Sequence, residues 1–175
     1  MYIRHKTLTI RNAGTADCAQ LAAWWNDGTI MAHAGFPLGL GTTPEKIAAQ
    51  LETDRDDTRR RLVVERDGRL IGEMSYQNCG DGIAEIGIKI CDATEQNRGQ
   101  GKLLLSMLID ALFTAGYTQI MLDTNLRNTR AQHVYEQIGF TRVGVRVDSW
   151  TDQLGTLQSA VDYILQPEQF VSFLR

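Results

Sequence analysis

The sequence predicts a mixed α/β (α+β) domain: a mostly antiparallel sheet of six to seven strands flanked by about four helices, with residues 1–175 forming one unit. Three observations lead there. At 175 residues the chain has the length of one domain. Its 43% hydrophobic and 22% charged residues suit a globular protein and exclude a disordered or collagen-like one. Period-2 apolar segments joined by hairpin turns come first, and helix and strand patterns then alternate.

The elements follow in order. Leu8 to Arg11 alternates as a short strand. Thr15 or Asp17 caps a helix whose apolar face is Cys18, Leu21, Ala22 and Trp25. From Asn26 to Thr42 the chain carries Gly28, Gly35, Pro37, Gly39 and Gly41 and reads as a long irregular loop. Thr42 with Glu45, and Pro44 in a first turn, open a helix through Ile47 and Leu51. The charge cluster Asp54 to Arg61 reads as a solvated helix end and turn. Strands at Leu62–Glu65 and Leu70–Tyr76 flank the hairpin signal Asp67-Gly68, and a turn at Asn78 to Gly82 leads into a strand from Ile83 to Ile90. That last strand carries Ala84, Ile86, Ile88 and Ile90 on one face, and Glu85, Gly87 and Lys89 on the other. A helix from near Gly99 to Gly116 is apolar except for Lys102, Ser106, Asp110 and Thr114, a thin wet stripe on a cylinder packed against a sheet. Ile120 to Leu122 is a buried strand. Asn128 or Thr129 caps a helix that turns Ala131, Val134, Tyr135 and Ile138 inward, and strands at Thr141–Val147 and Ala160–Leu165 close the chain.

Composition narrows the function. No apolar run approaches the roughly 20 residues of a membrane span, and the N-terminus has no apolar signal core, so we expect no membrane and no secretion signal. A formal charge of −3, from 18 Lys and Arg against 21 Asp and Glu, speaks against a nucleic-acid partner. Cys18, Cys79 and Cys91 are odd in number and form no Cys-x-x-Cys pair, as expected of reduced thiols in a cytoplasmic protein. His5, His33 and His133 share no ligand spacing, so we expect no metal.

The segment Gln96-Asn-Arg98-Gly99-Gln100-Gly101-Lys102 joins a strand to the apolar helix. Glycines there admit a ligand close to the backbone, and the first helical N–H groups with Arg98 and Lys102 make an anion site. A Walker loop would need Ser or Thr after Lys102, where Leu103 stands. A dinucleotide fingerprint would need a third glycine at Leu104.

Gln96-x-x-Gly99-x-Gly101 instead resembles the Gln/Arg-x-x-Gly-x-Gly/Ala signature of the GNAT acetyltransferase superfamily. Asn125 to Phe140 resembles the second motif of that superfamily: an Asn opening a helix, a Tyr on it, and Gly-Phe ending it. The resemblance runs from Leu8 to Leu165, and its specific part is Ile86 to Phe140. It implies acetyl-CoA as co-substrate, bound in a cleft where two strands splay apart, and a homodimer. It places the pyrophosphate on Arg98, Gly99, Gln100, Gly101 and Lys102, and the pantetheine arm along Ile88 and Ile90. Asn128 would contact that arm and the Tyr135 hydroxyl would lie near the sulfur. The stretch Cys91 to Glu95 exceeds the commonest family spacing, which moves the strand-end contacts by a residue or two.

The resemblance implies an N-acetyltransferase acting directly on a primary amine of a small molecule or a protein N-terminus, with a non-catalytic acyl-CoA-binding or sensing domain as the alternative. An ordinary amine with a pKa near 10.4 is a free nucleophile in only about one molecule in 2,500 at pH 7, so such a site needs a base. Glu85 is the first candidate, on the polar face of the central strand, and Glu73 on the neighbouring strand is the second. Asp92 and Glu95 read as loop charges. For the acceptor we expect Trp24, Asp27, His33 and Phe36 from the long loop and Trp150 from the C-terminal part, because aromatics beside acids suit a cationic amine. Trp24-Trp25-Asn26-Asp27 and the glycine-rich loop resemble the branch containing aminoglycoside and ribosomal-protein N-terminal acetyltransferases.

Overall fold

Apolar residues at alternate positions of the central strands force a sheet with two covered faces, and the computed structural model, which describes residues 1–174, has that form. One eight-stranded sheet runs in the order β1-β2-β3-β4-β5-β6-β8-β7. Its strands are β1 (Tyr2–His5), β2 (Leu8–Asn12), β3 (Arg59–Arg66), β4 (Arg69–Gly80), β5 (Ile83–Ile90), β6 (Gln119–Asn125), β7 (Thr141–Thr151) and β8 (Leu157–Leu165). All neighbours are antiparallel except β5 and β6. Among the described residues there are five α-helices: α1 (Cys18–Asn26), α2 (Gly28–Met31), α3 (Pro44–Leu51), α4 (Gln100–Thr114) and α5 (Thr129–Ile138).

The sheet therefore has one strand more than the upper expectation. The addition is β1, which pairs with β2 through a tight turn at Lys6, φ 54°. Lysine carries no turn signal and β1 has no clear apolar alternation, so the hairpin is invisible to patterning. The long loop after α1 holds the single-turn helix α2, whose N-cap is Asp27, accepting from the Thr29 amide at 2.8 Å.

Alternate residues of β3 separate the two layers. Leu62 and Val64 face the larger core with α4 and α5, and Val63 faces the smaller one with α1 and α3. Helix α4 is the centre of the larger core: Leu104, Leu105, Met107, Leu108, Ile109 and Leu112 are each no more than 1% exposed. Each such side chain gains roughly 1.5–3 kcal/mol from burial.

Two polar readings of the sequence are corrected by this packing. Ser106 is fully buried, because the C-terminal tail crosses α4 there and the Phe173 amide donates to its hydroxyl at 3.1 Å. The supposed wet stripe is a seam for the tail. Asp54 is also buried; its carboxylate pairs with the Arg61 guanidinium and accepts the Arg61 amide at 2.7 Å, so it anchors the start of β3 and is not a solvated turn charge.

Candidate active site

Strand β5 pairs with β4 along its whole length, from Ile83 to Ile90, but with β6 only over Ile83 to Glu85. Beyond Glu85 the two parallel strands part, and the β6-facing edge of residues 86–90 has no ladder partner. A cleft of about 1120 Å³ opens at this gap. Its lining includes Leu105, Leu122, Val134 and Tyr135 from the α4/α5 side, and Asp27, His33, Gln77, Glu85 and Trp150 from the other. The cleft thus passes through the sheet, with one mouth on each face.

The first mouth is built by the glycine turn. Gly99 is the N-cap of α4 in the left-handed region, φ 74°, and no side chain caps the helix there. A Cβ added at Gly99 or Gly101 would meet no atom within 4 Å, so packing does not require either glycine. What they leave is open space in front of uncapped N–H groups at the positive end of a 15-residue helix, the physical requirement for an anion. Gly99, Gln100, Gly101 and Lys102 line this mouth, and Arg98 is exposed beside it without lining it. Lys102 also lies over the Phe173 ring, 5.1 Å from its centroid.

Buried ion pairs hold the turn in place. Glu95, only 4% exposed, accepts from both Arg66 and Arg69, Asp92 pairs with Arg69, and the Gln100 side-chain carbonyl accepts from Arg66. The expectation that Asp92 and Glu95 are loop charges is therefore corrected: they tie the turn before α4 to the β3–β4 hairpin. Gln96, the first residue of the motif, donates its side-chain amide to the Ile90 carbonyl at 2.9 Å and fastens the turn to the end of β5.

Asn128 caps α5, accepting the Ala131 amide at 3.3 Å, and also lines the cleft with Ile88 and Ile90. Arg130, one turn into α5, donates to Asn97 at 2.6 Å and brings a second cation to the anion mouth. It was not among the residues singled out in the sequence, since its placement depends on how α5 docks against the glycine turn. Tyr135 is buried between Phe140 and Tyr163 yet reaches the cleft. Burial and the nearby Asp123 charge push its phenol up to about 12. Cys91 lines the cleft as well, but burial pushes its thiol up to about 12, with the Glu73 charge adding to the effect. Such a thiol is not a nucleophile at neutral pH.

At the second mouth Glu85 is exposed on the face shared with Gly87 and Lys89, as its place in the alternation requires. Glu73 is on the same face but does not line the cleft; its carboxylate accepts from Trp25 Nε1 at 2.8 Å and from Lys89 Nζ at 3.3 Å, a strut between α1 and β5. Asp27, His33 and Trp150 line this mouth. Thr29 holds the Asp27 carboxyl below its ordinary value by donating its hydroxyl and its amide. Trp24 is 7% exposed in the core between α1 and α3, and Phe36, although exposed, is not part of the lining.

A residue absent from the sequence reading organises the roof over this mouth. Gln153, in the β7–β8 turn, donates its backbone amide to the Gly35 carbonyl at 2.9 Å. Its side chain accepts the Leu38 amide at 2.9 Å and donates to the Gly39 carbonyl at 3.0 Å. Trp150 packs on Gly35, where an added Cβ would sit 2.4 Å from the indole. Among the described residues no group of three or more His, Cys, Asp or Glu could hold a metal ion.

Comparison with known proteins agrees with this architecture. The chain is 32% identical over 116 residues to the mycothiol acetyltransferase of Thermomonospora curvata, a match covering 66% of this chain and 39% of that protein. It is 38% identical over 55 residues to the [ribosomal protein bS18]-alanine N-acetyltransferase of Salmonella typhimurium, covering 31% of this chain and 37% of that one. The chain thus spans less than half the length of these curated relatives. Spermidine N-acetyltransferase from Vibrio cholerae, solved in complex with CoA and spermine, superposes with a TM-score of 0.81 at 25% identity, over 94% of this chain and 98% of that one. The split strands, the uncapped glycine turn and the capped α5 all lie within or at the border of residues 19–140, which match the family model described as "Acetyltransferase (GNAT) family", and the chain belongs to that family.

Proposed function

We propose that the protein is an acetyl-CoA-dependent N-acetyltransferase, a single domain over residues 1–175, that acetylates a primary amine of a small molecule or a protein N-terminus. The observation that carries the reading is the through-sheet cleft, which has an anion cradle at one mouth and an unpaired carboxylate, Glu85, at the other. Enzymes among the relatives favour turnover over a purely sensing role.

Bound acetyl-CoA would supply an activated acetyl thioester. The N–H groups at the start of α4, with Lys102 and Arg130, fit its diphosphate, and the unpaired edge of residues 86–90 fits an extended amide chain as an added strand. Ile88, Ile90 and Asn128 contact that chain. Glu85 receives the proton that leaves the acceptor nitrogen as the C–N bond forms. Tyr135 keeps its own proton and donates a hydrogen bond toward the cleft. Passing a proton from a phenol near 12 to a thiolate whose acid is near 8.5 would climb roughly 5 kcal/mol. Tyr135→Phe should therefore lower kcat about tenfold or more, the worth of one hydrogen bond to a charged group, and leave the shape of the kcat–pH profile up to pH 10 unchanged. Loss of a limb in that profile would make Tyr135 the acid instead. Asp27, His33 and Trp150 border the acceptor, and Glu73, Trp24 and Phe36 act from behind, through packing and hydrogen bonds.

No described helix is long and apolar enough to cross a membrane. With Cys18, Cys79 and Cys91 all free, we place the protein in the cytoplasm, without a nucleic-acid partner, and as a homodimer. The reading is tested by calorimetric titration with acetyl-CoA, with ATP and NAD as controls, followed by thiol release with a panel of amines. One-site acetyl-CoA binding and amine-dependent thiol release are expected. A folded protein that ignores acetyl-CoA overturns the reading.

A further inference from the structure

Three consecutive arginines open β3, and two of them are neutralised. Arg60 pairs with Asp56, and Arg61 pairs with Asp54. Arg59 has no carboxylate partner among the described residues, is exposed, and lines the cleft at the acceptor mouth. Glu85 is in the same condition: exposed, in the cleft, and without a cation.

The register puts the two in one row. Arg59 lies opposite Gln77 on β4, and Gln77 lies opposite Glu85 on β5. Directly paired residues point to the same face, so a cation, an amide and an anion stand side by side across three strands. Two strand spacings separate the Cα atoms of Arg59 and Glu85 by roughly 10 Å. Around them, the Asp123 charge is met by Arg146, and Lys89 is occupied by Glu73. Asp27 sits at the N-terminus of α2. A polyamine would require an acid at the far end of this row, where a guanidinium stands.

We propose that the preferred acceptor is a small amine bearing an anionic group, carboxylate or phosphate, a few bonds from the nitrogen. The amine lies at Glu85, Gln77 bonds the middle, and the Arg59 fork binds the anion. The inference rests on the acetyltransferase reading of the same cleft. Arg59 decides which amine is used, not whether acetyl transfer occurs.

The test uses four acceptors that share one arm and differ at the far end: 4-aminobutyrate, 3-aminopropylphosphonate, 4-aminobutanamide and 1,4-diaminobutane. Thiol release is measured with each, and acetyl-CoA affinity is measured separately by calorimetry. An anionic acceptor should exceed both the amide and the diamine by about tenfold or more in kcat/KM, the worth of a charge-assisted bond. Whichever of the carboxylate and phosphonate leads identifies the anion. Arg59→Met should remove that advantage through KM and Arg59→Lys should restore part of it, with acetyl-CoA affinity the same in all three proteins. Equal or better use of the diamine, no acetylation of any of the four by protein that binds acetyl-CoA, or an Arg59→Met enzyme with unchanged preference would overturn the proposal. Absence of acetyl-CoA binding would instead defeat the underlying enzymatic reading.

Discussion

Glu85→Gln should lower kcat/KM for any accepted amine by a factor of about 10² to 10⁴ and leave acetyl-CoA affinity within about twofold. The substitution keeps the shape and hydrogen-bonding reach of the side chain and removes only its charge. Glu85 is exposed at the acceptor mouth, opposite Gln77 and clear of the glycine turn, so neither the sheet nor the anion cradle depends on it. Thiol release by the purified variant is the measurement, and activity within about threefold of the parent would remove Glu85 from the chemistry. Glu73→Gln is an informative partner. Its carboxylate is committed to Trp25 and Lys89, so its loss should act through the position of α1, appearing in KM more than in kcat.

A second large effect is expected at the other mouth. Gly99→Glu should weaken acetyl-CoA binding about a hundredfold or more while the protein still folds. A side chain at φ 74° costs on the order of 1–2 kcal/mol, and the space in front of it is empty, so the fold tolerates the change. The new carboxylate, however, would occupy the positive end of α4 where an anion is to bind. Gly99→Ala is the control, carrying the backbone strain without the charge. Calorimetric titration reads the affinity and thermal melting reads the fold. Unaltered affinity in Gly99→Glu would show that the glycine turn is architecture alone.

The sequence was most legible where chemistry follows local pattern. The alternation of β5 placed Glu85, Gly87 and Lys89 on one face, and the two-motif resemblance located the glycine turn and the Asn128 cap. It was least legible where a side chain answers to a distant partner. Nothing near Glu73 in the chain announces Trp25 and Lys89 as its partners, and nothing near Glu95 announces Arg66 and Arg69. Trp24 and Trp25 are a case in point. Sequence spacing favoured Trp25 as the core residue, yet Trp24 is buried against α3 and Trp25 turns its indole N–H to Glu73. Gln153 and Arg130 were missed for the same reason, since both acquire their roles only when separate segments meet.

The Gln153 clasp has a consequence for the order in which the molecule takes shape. The pair Leu38 and Gln153 is separated by 115 residues, so the loop over the acceptor mouth cannot be fastened until the last hairpin has been made and docked. The anion mouth has no such dependence, since Gly99 to Lys102, Gln96 and the Arg66–Glu95 pair lie within a far shorter stretch of chain. During synthesis from the N-terminus, the half that fits the diphosphate can assemble while the C-terminal hairpin is still missing. A nascent chain would thus be able to hold its nucleotide-bearing partner before it has any chamber in which to use it, and the finishing of that chamber is the last event of folding.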